Sequence, residues 1–92
     1  MTVRLIVNME AAPGKREGLL ATFAELCPSV REEPGCEQYE LYQSTERPDH
    51  FALMERWTDQ DALTVHGQVL RERGVDLQSL RVAPAQVERY EE

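Results

Sequence analysis

Two polar side chains occupy positions where the surrounding sequence is apolar. Asn8 interrupts the β-forming run of residues 3–9, and an amide that is buried without a hydrogen-bond partner is costly. His66 falls on the apolar stripe of a predicted helix, and an imidazole can accept a proton near neutral pH. Asn8 and His66 are therefore the candidate catalytic residues. The alternatives are an asparagine that satisfies a turn and a histidine that bonds a backbone group at the edge of the core.

A second set of candidates lies on a predicted strand, where Glu55 and Trp57 share one face and Arg56 takes the other. Trp57 can stack on a planar ligand, or it can fill the core as a tryptophan in a small domain usually does. Glu55 must reach water or a partner. It is a candidate for substrate binding, together with Arg4, and the alternative is an ion pair with Arg4, with Arg89 or across a dimer.

The remaining reactive side chains give weaker signals. Tyr39 and Tyr42 lie on opposite faces of one predicted strand, so only one of them can face a pocket, and we favour Tyr42 as a substrate-binding residue. His50 begins the next strand and is predicted to be exposed to solvent. Cys27 is predicted to be a small buried hydrophobe, and Cys36 has no obvious activating neighbour. The spacing of the two cysteines fits no zinc pattern, so no metal site is expected.

The composition narrows the classes of function. A chain of 92 residues forms one domain, and a net charge of −7 argues against nucleic acid and anionic membrane surfaces as partners. No apolar run approaches the roughly 20 residues that span a bilayer. The N-terminus lacks the features of a signal peptide, so a cytoplasmic protein is the simplest interpretation.

The hydrophobic periodicity predicts the elements that must position these residues. The predicted order is strand 3–9, helix 15–32, strand 36–43, strand 50–57, helix 59–73 and strand 85–90. Thr58 is the expected N-cap of the second helix and Gly74 its stop, and one short helical turn is expected between residues 75 and 84. The two central strands should form a hairpin. This βαββαβ order predicts an α+β, ferredoxin-like fold with an antiparallel four-stranded sheet.

The two predicted helices leave one face of the predicted sheet uncovered. Two helices cover one face of a four-stranded sheet, yet the middle strands carry apolar or aromatic residues of both parities. A second copy packed sheet against sheet is the obvious cover, so a homodimer is expected.

Three local patterns occur in a familiar order. They are Ala-Pro-Gly-Lys-Arg-Glu at 12–17, Glu-Pro-Gly-Cys at 33–36 before Tyr-Glu-Leu-Tyr at 39–42, and Leu-Met-Glu-Arg-Trp at 53–57 before Ala62, Leu63 and His66. Taken together they cover nearly the whole chain, which resembles the antibiotic biosynthesis monooxygenase (ABM) family. The resemblance implies a homodimeric α/β barrel with a pocket between the sheet and the helices of each subunit.

The resemblance also implies roles for the candidate residues. Oxygenases of this superfamily carry an asparagine near the end of the first strand that hydrogen-bonds the substrate or bound oxygen, and Asn8 matches that position. His66 would be the base and Trp57 the wall on which the substrate stacks. The haem-degrading branch is disfavoured, because residues 73–76 lack its axial histidine and it carries a tryptophan at the position of His66.

The expected function is a cofactor-independent monooxygenase that oxidises a small quinol or hydroxylated aromatic with molecular oxygen. No cofactor is expected, because the chain carries no flavin, nicotinamide or metal motif. The alternative is a homodimer of the same fold that binds a small ligand without catalysis or is purely structural.

Overall fold

The computed structural model describes all residues from 1 to 92 and has the expected βαββαβ order. Its elements are β1 (Val3–Glu10), α1 (Arg16–Val30), β2 (Cys36–Gln43), β3 (His50–Trp57), α2 (Gln60–Arg73), a 3-10 turn (Gln78–Leu80) and β4 (Gln86–Glu91). The strands form one antiparallel sheet in the order β2-β3-β1-β4, and β2 and β3 form the predicted hairpin. The ferredoxin-like α+β fold is therefore confirmed.

Helix α1 supplies five of the eleven residues of the hydrophobic core. Its apolar residues recur at helical spacing and put five side chains against the sheet, namely Leu19, Phe23, Leu26, Cys27 and Val30. The predicted burial of Cys27 is confirmed, and both cysteines are free. Pro28 is accommodated within the last turn of the helix, which ends at Val30 rather than at residue 32.

Helix α2 begins one residue later than expected. Asp59, not Thr58, is the N-cap, because its carboxylate accepts a hydrogen bond from the Ala62 amide at 2.8 Å. The predicted stop at Gly74 is confirmed by its left-handed backbone, with φ of +65°. His66 is the one fully buried residue of this helix.

Gly35 sets the approach between α2 and the start of β2. Its φ is +83°, and a Cβ at this position would lie 2.5 Å from the Cβ of Ala62 and 2.8 Å from Oγ1 of Thr58. A side chain there would therefore force the start of α2 away from the sheet.

The pairing register sorts the strand residues onto two faces. On the helix face lie Val3, Leu5, Val7, Met9, Tyr39, Leu41, Phe51, Leu53, Glu55 and Trp57. On the opposite face, which no helix covers and which we call the open face, lie Arg4, Ile6, Asn8, Gln38, Glu40, Tyr42, His50, Ala52, Met54 and Arg56. Edge strand β4 is exposed along its whole length.

The segment between α2 and β4 runs along the end of β1. The Ala12 amide donates to the Leu80 carbonyl at 2.9 Å, and the Val82 amide donates to the Glu10 carbonyl at 3.0 Å. These bonds hold residues 82–84 beside the open face. Neither helix has the length and apolar character that a bilayer crossing requires.

Candidate functional site

The predicted site residues fall into two groups that the sheet separates. On the helix face lie His66, Trp57 and Glu55, and on the open face lie Asn8, Tyr42 and Arg4. Within each group the side chains share a face, but the sheet stands between the groups.

His66 lies in a closed cluster against the sheet. Its ring centroid is 4.6 Å from that of Trp57 and 5.3 Å from that of Tyr39, which it meets edge-on. Its Nδ1 atom is 2.9 Å from Oε1 of Glu33, in the turn after α1. His66 is 3% exposed and Trp57 is 0% exposed, so the space around this histidine is filled by protein side chains.

Glu55 belongs to the same cluster but forms neither of the predicted ion pairs within the chain. Trp57 Nε1 donates a hydrogen bond to Glu55 Oε1 at 3.0 Å. Arg4 lies on the opposite face and donates to Gln38 at 2.9 Å, while Arg89 contacts Glu91 at 3.1 Å. The two ion pairs do not form because Arg4 lies on the other face of the sheet and Arg89 lies on edge strand β4, separated from Glu55 by Leu5 of β1.

Burial gives Glu55 unusual acid–base properties. Desolvation raises the pKa of this carboxyl group above its ordinary value, and nearby Glu33 raises it further. The bond from Trp57 and the proximity of His66 oppose the shift without cancelling it. Burial likewise raises the pKa of the Cys27 and Cys36 thiols, which favours their unreactive protonated forms.

The larger of the two main cavities is a cleft on the open face, not a pocket between the sheet and the helices. It encloses about 600 Å³ where the carboxyl ends of β1 and β2 meet the start of β3 and the segment before β4. Its lining comprises Asn8, Met9, Glu10, Tyr42, Gln43, Ser44, Arg47, His50, Phe51, Ala52, Val82, Ala83, Pro84 and Gln86. A shallower hollow of about 360 Å³ lies between α1 and β2 and contains none of the predicted site residues.

Two of the predicted residues, Asn8 and Tyr42, line this cleft. Asn8 Nδ2 donates to Glu88 Oε2 at 3.2 Å, which orients the amide and leaves its second N–H free. The Tyr42 hydroxyl donates to Glu40 Oε1 at 3.3 Å, and half of the Tyr42 residue remains exposed. The apolar side of the cleft and these polar groups suit a small ring that carries an oxygen substituent.

The cleft also contains a pair that the sequence did not single out. Glu10 and His50 are register partners in β1 and β3, and Oε1 of Glu10 lies 3.4 Å from Nε2 of His50. The His50 side chain is 35% exposed, so it is half-buried rather than free in solvent as expected. The signal that could have found the pair is the β1–β3 pairing, which sets residue 10 opposite residue 50.

Asn8 and His66 of one chain cannot contact the same small substrate. Asn8 pairs with Ala52, and the cluster around His66 packs on Trp57, five residues further along β3. At about 3.3 Å per residue this is a separation of about 17 Å along the strand, in addition to the thickness of the sheet. The chain has no group of three or more His, Cys, Asp or Glu side chains arranged to hold a metal ion.

The ferredoxin-like sheet, with a cleft at its strand ends, is the fold of a known class of protein. The sequence model of the antibiotic biosynthesis monooxygenase family matches residues 2–69. The chain therefore belongs to this family, as its motifs predicted.

Individual relatives are similar to this chain in sequence and in structure. The chain is 29% identical over 66 residues to Putative monooxygenase YcnE of Bacillus subtilis (strain 168), a match that covers 72% of this chain and 70% of that protein. It is similar to the solved structure of Rv0793 from Mycobacterium tuberculosis, with a TM-score of 0.88, 26% identity and coverage of 100% and 95% of the two chains. PA3566 from Pseudomonas aeruginosa gives a TM-score of 0.86 and 27% identity over 97% and 91%.

Proposed function

We propose that this protein is a cofactor-independent monooxygenase that oxidises a small quinol or hydroxylated aromatic with molecular oxygen in the open-face cleft. The observation that carries the proposal is the cavity of about 600 Å³, which joins an apolar wall to an oriented amide and an imidazole in a chain of the ABM family. The reaction balances without another reductant, since a phenol and one O₂ give a para-quinone and one water.

Asn8 is the proposed hydrogen-bond donor to the substrate. With one N–H fixed by Glu88, the amide directs its other N–H into the cleft, where it can stabilise the oxygen anion of an ionised phenol. Tyr42 is the proposed flank for the aromatic ring. Ala52, Val82 and Pro84 lower the polarity around the anion, which strengthens the hydrogen bond from Asn8.

For the other predicted site residues the structure suggests roles outside the cleft. His66, Glu55 and Trp57 hold α2 on the sheet, since they bond and stack on one another within the core. The role of His66 as base stays a prediction, as does substrate binding by Arg4, which lies on the open face beyond the cleft lining. The positions of His66, Glu55, Trp57 and Arg4 give none of them a contact with a substrate in the cleft.

We also propose that the working form is a homodimer joined through the open face. Only 14 of the 92 residues are buried in the single chain, a small core for an independent domain. Ile6 and Met54 occupy the uncovered centre of the sheet, and Tyr90, the register partner of Arg4, remains about half exposed on the same face of β4. A second copy would bury these side chains and close the solvent side of the cleft.

Oxygen uptake tests the proposed function. Wild-type protein titrated with quinols and phenols under air should consume oxygen faster than the same compounds without protein. In Asn8→Ala we expect kcat/KM to fall about 100-fold, the usual effect of removing one donor to a developing oxyanion. Gln68→Ala, which removes an exposed amide from α2, is the matched control and should leave the rate unchanged.

Two results would count against the proposal. Equal rates for Asn8→Ala and wild type would remove Asn8 from the site. A wild type that binds phenols but accelerates no oxygen uptake would favour the alternative of a non-catalytic ligand-binding dimer.

A further inference from the structure

We infer that His50, held by Glu10, is the group that accepts the proton from the substrate hydroxyl in the cleft. The inference rests on the proposed function, and it names a catalytic residue other than His66. Three features of the structure support it: a fixed backbone, an oriented imidazole and a surrounding charge that favours the ionised substrate.

The backbone on both sides of the pair is fixed. The His50 amide donates to the Arg47 carbonyl at 2.9 Å, and the His50 carbonyl accepts from the Ser44 amide at 2.9 Å. On the neighbouring strand, the Ala11 amide donates to the Asp49 carbonyl at 2.8 Å, which fixes the chain directly after Glu10. These hydrogen bonds therefore fix the backbone of His50 at the base of the β2–β3 hairpin loop.

The carboxylate of Glu10 favours one neutral tautomer of the His50 imidazole. With Nε2 lying 3.4 Å from Glu10 Oε1, the carboxylate favours the neutral tautomer that carries its proton on Nε2. Nδ1 then carries the free lone pair and has no hydrogen-bond partner within the chain. A base oriented by a carboxylate on its other nitrogen is an arrangement that recurs in general-base catalysis.

The proton-transfer step is simple. The O–H bond of the phenol breaks, an N–H bond forms at Nδ1 of His50, and the electron pair stays on the substrate oxygen. The imidazolium that results is stabilised by Glu10. The substrate anion remains beside the amide of Asn8, ready to pass an electron to O₂.

The groups that face His50 favour this transfer. They are Glu10 on β1, Arg47 in the hairpin turn and Tyr42 on β2, while residues 82–86 contribute no titratable side chain to the lining. The Arg47 guanidinium has no acidic partner in the chain, so its charge is available to an anion in the cleft. In a protein of net charge −7, the cleft thus combines a local cation with the base.

His66 is less well placed than His50 to accept the proton of a substrate in the cleft. Its Nδ1 is engaged by Glu33 and its ring is enclosed by Trp57 and Tyr39. A substrate in the cleft lies on the other side of β3. His50 is therefore the histidine that a bound phenol can reach.

A chromogenic phenol tests the inference separately from oxygen chemistry. 4-Nitrophenol turns yellow when it ionises, so its absorbance reports proton transfer in the bound state whether or not the protein oxidises it. The full-length wild type should bind it and lower its apparent pKa. His50→Gln should bind it with a clearly smaller lowering of that pKa, because only Asn8 and Arg47 then favour the anion, and Glu10→Gln should give a shift between those of His50→Gln and wild type.

Oxygen uptake with an unactivated phenol provides the kinetic test. We expect kcat of His50→Gln to fall about 100-fold with KM little changed, and to recover as the pH approaches the pKa of the substrate itself. Such recovery reports a lost base, which a merely structural defect would not produce. Glu25→Gln, on the exposed side of α1, is the control for Glu10→Gln and should behave as wild type.

The outcomes separate the inference from the proposed function. If wild type ionises bound 4-nitrophenol through His50 but takes up no oxygen, the proton acceptor stands and the monooxygenase proposal fails. If wild type oxidises phenols and folded His50→Gln does so equally well, the inference is overturned while the function stands. If wild type does not bind 4-nitrophenol, both fail.

Discussion

Glu55 is the one acidic residue among the fully buried side chains, and its environment sets how the stability of the fold depends on pH. Because burial raises the pKa of this group, the folded state holds a proton that the unfolded chain releases at lower pH. The contribution of Glu55 is therefore fully present below the unfolded pKa. It is lost as the pH rises through the folded pKa.

The Glu55→Gln variant isolates this effect. Glutamine keeps an oxygen that can accept the bond from Trp57 Nε1 but has no proton to lose. Relative to wild type, the variant should gain a few degrees in Tm at pH 8 compared with pH 5, as measured by thermal unfolding across that range. A Tm difference that stays constant with pH would show that the carboxyl group does not titrate within the core.

At the residue scale, the sequence predicted which face of an element a side chain occupies better than it predicted which side chains lie next to it. The apolar stripe correctly put His66 against the core, and alternation correctly separated Tyr39 from Tyr42. What alternation could not supply was the position of two facing strands relative to each other. The Glu10–His50 pair depends on that register, and so does the separation of Asn8 from His66.

At the scale of elements, α2 depends on one side chain for its attachment. His66 is its one fully buried residue, while its neighbour Val65 is 51% exposed. In His66→Ala we expect a loss of about 2 to 4 kcal/mol, because the change opens a cavity against Trp57 and leaves the Glu33 carboxylate without its partner. Val65→Ala is the matched control and should change stability by less than about 0.5 kcal/mol.

Chemical denaturation measures these two changes, and hydrogen exchange should detect faster opening of α2 than of α1 in His66→Ala. Equal destabilisation by the two variants would contradict the account of α2. A loss of turnover of about 100-fold in folded His66→Ala would return the base to His66 and contradict its assignment to His50.

The boundaries of the elements were predicted unevenly, for physical reasons. Strands β2 and β3 match the prediction because turn-forming residues flank each of the two segments. The start of α2 was missed by one residue since Thr58 and Asp59 can both cap a helix, and the choice depends on how the chain leaves β3. The short turn within residues 75–84 was expected, but the contribution of residues 82–84 to the cleft lining required the tertiary structure.

At the scale of the whole molecule, the open face determines the proposed assembly. Met54 lies at its centre, opposite Ile6, and a charge there would have to be buried between two sheets. Met54→Glu should therefore shift the protein from dimer to monomer at micromolar concentration, as measured by light scattering. Val65→Glu, on the exposed side of α2, should remain a dimer. A wild type that is monomeric under these conditions would contradict the proposal.

Oxygen isotope labelling tests the central claim most directly. Wild-type protein, a phenol that it turns over and isotopically labelled dioxygen should give a quinone that carries one labelled oxygen atom, as detected by mass spectrometry, with the second labelled atom in water. A quinone without label, its second oxygen coming from water and two molecules of hydrogen peroxide forming for each quinone, would mean that the chain promotes simple oxidation and is not a monooxygenase.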